Sequence, residues 1–290
     1  MNIHRQKLAA GIIFVGVPIG TARDITLRAL DTLASADVLA AEDTRSLRKL
    51  MDIHGVALDG RRIVALHDHS GDGVVERLVD AAREGQSVAY ASEAGMPLIA
   101  DPGFELGRAA RAAGVPVTCA PGASAVLTAL AIAGLPTDAF HFAGFLPNAK
   151  AARLTALSAL AGCQATLVFY ESPKRLGAML RDAAQALGVQ RQAVVCRELT
   201  KKFEETRAGT LAELAETYAT EKPKGEIVVL VDRGRSESVN FDDLEMMLEH
   251  ALEGQSMRDA VDAVATAQGL PRRLVYQKAL ALRQSGDAEE

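Results

Sequence analysis

Tryptophan is absent, and eight Phe and four Tyr are the only other large rings in 290 residues. Aromatic stacking platforms are therefore scarce. Only three cysteines occur (Cys119, Cys163, Cys196), widely spaced and without a C-x-x-C pair. That excludes a disulfide framework and a thiolate zinc site, and the expected compartment is the reducing cytoplasm. The opening Met-Asn-Ile-His-Arg-Gln-Lys-Leu has no apolar core of a signal peptide. Residues 112–137 lack charge, but Gly114, Pro116, Pro121, Gly122, Gly134 and Pro136 break that run into pieces too short to span a bilayer. It reads as buried strand, turn and helix. Neither G-x-G-x-x-G, G-x-x-x-x-G-K-[ST] nor G-x-S-x-G is present, so there is no sequence support for a dinucleotide fingerprint, a phosphate loop or a serine nucleophile elbow.

What is present is a globular composition, 49% hydrophobic and 24% charged, in a chain long enough for one large or two smaller domains. The net charge of -5 is unevenly spread. Residues 148–207 hold ten basic and five acidic side chains. Residues 271–283 hold four basic and no acidic ones. A polyanion-binding surface and ordinary solvated helix faces both account for such clusters.

Apolar runs alternate with helical periodicity through residue 122. Strands are expected at 11–16, 38–41, 61–67, 87–92 and 115–120, with helices at 25–34 (capped by Asp24), 74–83 and 104–113. Alternation of this kind implies parallel pairing. A second α/β set follows the Pro121-Gly122-Ala123-Ser124-Ala125 turn and its Ala/Leu-rich helix. Its strands are expected at 139–145, 165–170, 192–198 and 226–232. Its helices are expected at 149–160, 174–187 (Ser172 capping, Pro173 at the first position) and 211–218. Residues 233–240 are a polar linker. Three short helices then follow at 241–252, 256–267 and 272–284, the last two separated by Gly269-Leu270-Pro271 in a helix-turn-helix outline. The reading is three domains: 1–122, 123–234 and a helical tail at 235–290.

Chemistry is expected where strands end, because the carboxyl edge of a parallel sheet lines a ligand crevice. Gly16-Val17-Pro18-Ile19-Gly20 is a ligand turn or simply a turn. Glu42-Asp43-Thr44-Arg45 either holds a polar substrate or decorates a helix start. His67-Asp68-His69 lacks a third metal ligand and is read as non-metal. Ser92-Glu93-Ala94-Gly95-Met96-Pro97 and Asp101-Pro102-Gly103 add further small turn residues. Together these turns favour a bound small molecule. Cys119 and Cys196 read as packing residues.

These segments, taken in order, resemble the tetrapyrrole-methylase superfamily, and within it the family of methyltransferases acting on small-subunit ribosomal RNA. The resemblance runs from Gly16–Gly20 and Asp24–Leu30 through Ala41–Arg45, His67–His69, Pro97–Gly103 and Pro121–Ala125. It continues through Gly134–Asp138, Gly144–Pro147, Phe169–Pro173, Arg197–Lys201 and Lys224–Glu226. The tail, with Val275-Tyr276, resembles that family's closing helix-turn-helix. The resemblance implies two α/β domains with S-adenosylmethionine in the cleft between them, plus a small all-helical domain. It implies 2′-O-methylation of a cytidine in the decoding region of 16S ribosomal RNA, by a homodimer; the residues themselves offer no credible metal constellation, so no metal is expected. Carried over by position, the cofactor residues are Pro18, Ser92, Glu93, Ala94, Gly95, Leu98, Ser124, Ala125, Tyr170 and Leu199. Asp43, Arg45 and Glu42 are placed on the catalytic, substrate-facing side. Other candidates for the base are His67, His69, Glu93 and Glu171. Arg45, Lys174, Arg175, Arg197 and Lys201 are candidates for holding phosphates, as are Arg272, Arg273, Lys278 and Arg283 in the tail. Glu93 and Met96 stand where the family usually has Asp and Thr, Val17 and Thr21 where it has Thr and Asn, and Ser70-Gly71 where it often has Asn-Glu. Two other readings compete: a methylase of a tetrapyrrole ring, and an RNA-binding assembly factor without catalysis.

Overall fold

The computed structural model describes residues 3–67, 72–234, 241–268 and 272–286. Asp68, His69, Ser70, Gly71 and the Gly269-Leu270-Pro271 break lie outside the described residues. Residues 1–233 form one compact unit and residues 234–290 another.

The first sheet holds β1 (Gly11–Val15), β2 (Val38–Ala41), β3 (Ile63–Ala65), β4 (Ser87–Ala91) and β5 (Val117–Ala120). Their order is β3-β2-β4-β1-β5, and every pairing is parallel. The connecting helices are α1 (Leu27–Ser35), α2 (Thr44–Ile53), α3 (Asp72–Arg83) and α4 (Phe104–Ala112). Apolar clusters form on both faces. One joins α1 and α2 through Leu30, Leu33, Leu47 and Met51, and the other joins α3 and α4 through Leu78, Val79 and Leu106. Burial on both sides is why β4 is an unbroken apolar run rather than an alternating one.

One local detail differs from expectation. Asp24 sits in a short 3-10 turn, and the helix cap is Thr26, whose hydroxyl accepts from the Ala29 N–H at 3.1 Å. α2 bears out the reading of Glu42-Asp43 as a helix start: Asp43 caps it, accepting from the N–H groups of Arg45 (2.7 Å) and Ser46 (3.3 Å).

α5 (Ala125–Ala133), capped by Ser124, leads into the second sheet. That sheet contains β6 (Phe140–Phe145), β7 (Thr166–Glu171), β8 (Gln192–Arg197), β9 (Glu205–Thr210) and β10 (Ile227–Val231), in the order β6-β7-β10-β8-β9. Only β6 and β7 run parallel; the remaining pairs are antiparallel. α6 (Lys150–Ala159), α7 (Leu176–Leu187) and α8 (Leu211–Thr220) cover one face, and α5 packs on the other. α7 begins later than expected: Ser172 and Pro173 form a turn in which the Ser172 carbonyl accepts from both Arg175 and Leu176.

The second unit consists of α9 (Phe241–Leu252), α10 (Met257–Gln268) and α11 (Arg272–Gly286) around Leu244, Leu248, Val261, Val264, Val275 and Ala279. No helix among the described residues is long and apolar enough to cross a membrane.

Candidate functional site

A parallel sheet places all its strand carboxyl ends on one edge. In the second sheet the mixed order brings the ends of β6, β7 and β8 together with the start of β10, since Glu171 pairs with Ile227 and Ile227 with Arg197. Between these edges lies a cavity of about 370 Å³, within the usual size for a small-molecule site. The first half contributes Ile19, Ala94, Gly95, Met96 and the Ile99–Asp101 loop, and α5 presents Ser124 and Ala125. The second half contributes Phe145, Tyr170, Leu199, Gly225, Glu226 and Val228.

Behind the wall, backbone segments pack at close approach. Gly16 and Gly122 cross so tightly that a Cβ on Gly16 would stand 2.5 Å from the Gly122 nitrogen. The Val17 N–H donates to Gly95 O at 2.9 Å, and the Gly95 N–H donates to Pro18 O at 3.4 Å. The Met96 sulfur accepts from the Gly122 N–H at 3.2 Å. The two halves are stitched together where the Thr21 N–H donates to Thr200 Oγ1 at 3.1 Å, and the Thr21 hydroxyl to Thr200 O. Five described non-glycine residues have positive φ. Four of them, Leu98 (71°), Ala100 (62°), Glu198 (52°) and Thr200 (63°), lie on the two loops flanking this cavity. Left-handed backbone at such residues costs energy and gathers at functional sites.

Of the residues placed here from sequence, Ala94, Gly95, Ser124, Ala125, Tyr170 and Leu199 line the cavity together. Pro18, Ser92 and Leu98 sit directly behind the lining: Pro18 through its carbonyl, Ser92 with its hydroxyl 3.3 Å from Ala94 O, and Leu98 packed on the first-sheet core. Glu93 is exposed beside the lining, and its N–H donates to Glu42 Oε2 at 3.1 Å. Glu42 therefore stands one residue from the cavity lining, Asp43 makes its contacts within the start of α2, and Arg45 is almost fully solvated. The two capping N–H bonds hold the Asp43 carboxyl below its ordinary range.

Tyr170 and Glu171 show what strand alternation does here. The Tyr170 ring meets Phe142 and Phe145 edge-on, and burial, with Asp101 and Glu226 nearby, pushes its hydroxyl up to about 12. It is a neutral hydroxyl at any physiological pH. Glu171, like Ser172 and Pro173, also borders the cavity, but its side chain is fully buried and its carboxylate meets the Ser172 N–H (2.7 Å) and Arg175 (3.2 Å). Burial raises that carboxyl. His67 is exposed at the end of the third strand, and no group of three His, Cys, Asp or Glu among the described residues is arranged for a metal.

Three of the expected phosphate-holding cations are committed elsewhere. Arg175 holds Leu146 O and Asn148, Arg197 holds Glu205 at 2.9 Å, and Lys201 bridges Glu198 (2.9 Å) and Glu226 (2.8 Å). Lys174 is exposed without an ion pair among the described residues. α2 adds Arg48 and Lys49, which with Arg45 make an exposed basic stripe at helical spacing. In the tail, Lys278 meets Glu245 at 2.7 Å and Arg272 meets Asp262. Its basic segment is thus partly neutralised by acids of α9 and α10, which the local count could not reveal.

Asp101, Glu226 and Gly225 belong to the cavity but had no assigned role. Gly225 (φ 96°) was the available signal: a Cβ there would stand 2.3 Å from the Glu198 carboxyl. Only glycine lets β10 start against the β8 loop.

This geometry agrees with comparisons to known proteins. Residues 11–215 match the family described as Tetrapyrrole (Corrin/Porphyrin) Methylases, and residues 239–283 match the RsmI C-terminal HTH domain. The chain is 43% identical over 290 residues to the ribosomal RNA small subunit methyltransferase I of Mesorhizobium japonicum, covering 99% of this chain and 98% of that one. It is 40% identical to the protein of the same name from Halalkalibacterium halodurans, covering 94% and 96% of the two chains. Among solved structures it resembles uroporphyrin-III C-methyltransferase from Thermus thermophilus complexed with S-adenyl homocysteine, with a TM-score of 0.53 and 21% identity over 76% of this chain and 96% of that one. The expected α/β fold, with two sheets and a helical tail, is the observed one, and the chain belongs to the ribosomal RNA small subunit methyltransferase I family of tetrapyrrole-type methylases.

Proposed function

We propose that this methyltransferase moves a methyl group from S-adenosylmethionine to the 2′-oxygen of a cytidine in the decoding region of small-subunit ribosomal RNA. The observation that carries the reading is the cavity at the meeting edge of the two sheets, in a chain with near-full-length identity to relatives bearing that name. The cavity suits the cofactor. Ile19, Leu199 and Val228 offer apolar wall to a nucleoside, Asp101, Glu226 and Ser124 offer a few polar groups, and the glycine crossing behind the wall holds the two turns that carry Ile19 and Ser124 close together. Pro18, the Ser92–Gly95 turn, Leu98, Ser124, Ala125, Tyr170 and Leu199 would hold it, the homodimer and cytoplasmic setting being part of the same reading.

When bound, the cofactor supplies an electrophilic methyl on a positively charged sulfur. The protein's task is alignment. Transfer would break the S–CH₃ bond with its electron pair going to sulfur as the O–CH₃ bond forms, so this chain's residues would have to align the ribose oxygen and pass its proton to water or a nearby base. Asp43, acidified by its capping bonds, is a poor base but a good acceptor, so it orients the ribose hydroxyl. Glu42 braces the Glu93 N–H and thereby the Ser92–Gly95 turn. Arg45, with Arg48 and Lys49, contacts phosphates.

Mass spectrometry of small-subunit ribosomal RNA from a deletion strain, before and after complementation, is the direct test. Loss of one ribose methyl on a decoding-region cytidine, restored by the gene, is expected. An unchanged ribosomal RNA alongside a missing tetrapyrrole methyl would overturn the reading.

The two acids separate by role. Asp43→Asn is expected to lower turnover about tenfold with cofactor affinity unchanged, because the amide caps α2 but loses the charged acceptor. Glu93→Gln is expected to weaken cofactor binding by about 1 kcal/mol or less, since an exposed carboxylate is screened. Full turnover in Asp43→Asn, measured in single-turnover assays beside calorimetry, would reduce Asp43 to a helix cap.

A further inference from the structure

We propose that Phe203 is a stacking platform for an unpaired base of the RNA substrate, with Lys202 beside it contacting phosphate. The inference rests on the reading that RNA is the substrate and adds a recognition site to it.

β8 ends at Arg197 and β9 begins at Glu205, so residues 198–204 form a hairpin loop at the cavity edge. The loop is braced from every side. The Lys201 N–H donates to Glu198 O (2.9 Å) and the Glu204 N–H to Lys201 O (3.1 Å). The Thr200 N–H donates to the Glu204 carboxylate, Lys201 spans Glu198 and Glu226, and Thr21 bonds Thr200 from the first half. Two residues of the loop hold left-handed backbone. Leu199 is thereby fixed against the cavity wall.

On this rigid support the Phe203 ring is 62% exposed. A braced loop could have buried the ring or carried a polar residue instead, and rings are scarce in this chain. The Lys202 ammonium lies 5.5 Å from the ring centroid and makes no ion pair among the described residues. A π-face with an adjacent free cation matches an unstacked nucleotide, whose base stacks on the ring while its phosphate meets the ammonium. Lys174 and Lys224, each next to a cavity-lining residue, are likewise exposed without ion pairs among the described residues. A second copy of the chain would have to bury these cations, whereas a polyanion is attracted by them.

The test uses full-length protein, purified small ribosomal subunits and a short unstructured RNA oligonucleotide, with binding followed by fluorescence anisotropy across a salt series. Phe203→Ala is expected to weaken RNA binding about tenfold at every salt concentration, in line with the loss of one stacked base. Phe203→Tyr is expected to stay within about threefold of wild type, keeping the π-face. Lys202→Ala is expected to flatten the salt dependence by about one ion. Cofactor affinity by calorimetry should be the same in all three. Wild-type RNA affinity in Phe203→Ala overturns the proposal, and so does a change from dimer to monomer in sedimentation, which would make the ring a contact between copies. If wild-type protein methylates subunits while Phe203→Ala matches it, only this inference fails. If wild-type protein neither binds nor methylates them, the functional reading fails with it.

Discussion

Replacing Gly122 with alanine is expected to abolish cofactor binding and to destabilise the first unit by about 3 kcal/mol, the upper part of the range for overpacking a tight site. A Cβ at this position would lie 2.7 Å from Gly16 C and 2.8 Å from Gly16 Cα and O. These are backbone atoms of the loop leaving β1, so no rotamer change relieves the collision. Relief requires the β1 and β5 exits to part, and that also pulls apart the bond from the Gly16 N–H to Ala120 O (2.9 Å). The control is Gly162→Ala, where an added Cβ meets nothing within 4 Å; it is expected to shift stability by no more than about 0.5 kcal/mol. Urea unfolding and calorimetry on both variants decide the matter. Native stability and affinity in Gly122→Ala would mean that the crossing yields easily and is not a determinant of the site.

The second large effect is expected at Arg153. The residue is only 6% exposed, and its guanidinium grips Asp182 Oδ2 through Nε (2.7 Å) and Nη2 (2.6 Å), while Nη1 donates to Asn148 O at 2.9 Å. Arg153→Ala leaves the Asp182 carboxylate buried without its partner, at a cost of about 3–5 kcal/mol. It also frees the 146–149 loop that follows the cavity-lining Phe145. Arg153→Lys is expected to recover little, because an ammonium cannot reproduce the planar fork. Arg153→Met with Asp182→Leu is expected to recover most of the stability, since neither charge is then stranded. A stability loss under about 1 kcal/mol in Arg153→Ala would show that water replaces the pair.

Much of the fold was legible because strand and helix periods differ and the turns between them are rich in Gly and Pro. The ten-residue gap after Glu42-Asp43 was harder. α2 buries only Leu47 and Met51, and its cations interrupt the apolar pattern. β9, Glu-Thr-Arg-Ala-Gly-Thr, carries no large apolar residue and exists because β8 offers it an edge. Strand direction in the second sheet has no counterpart in periodicity, so the meeting of Tyr170, Leu199 and Glu226 could not be derived from spacing. The same holds for the pleat that turns Glu171 away from its neighbour Tyr170. Asp24 and Thr26 compete for the same helix start, and sequence alone did not reveal that the Thr26 hydroxyl also reaches Pro121 O at 3.1 Å.

The strand order of the second sheet also bears on how the protein is made. β10 is the last strand in the chain but lies at the centre of its sheet, hydrogen-bonded to β7 on one side and β8 on the other. During synthesis, β6–β7 and β8–β9 emerge as separate pairs with unsatisfied edges facing each other. Neither pair can complete the cavity until residue 231 has cleared the ribosome. Between residues 210 and 231 the nascent chain thus carries a parallel half followed by two pairs with open edges, a state exposed to wrong pairing. Enzymatic competence arrives in one late step, when the central strand slots in.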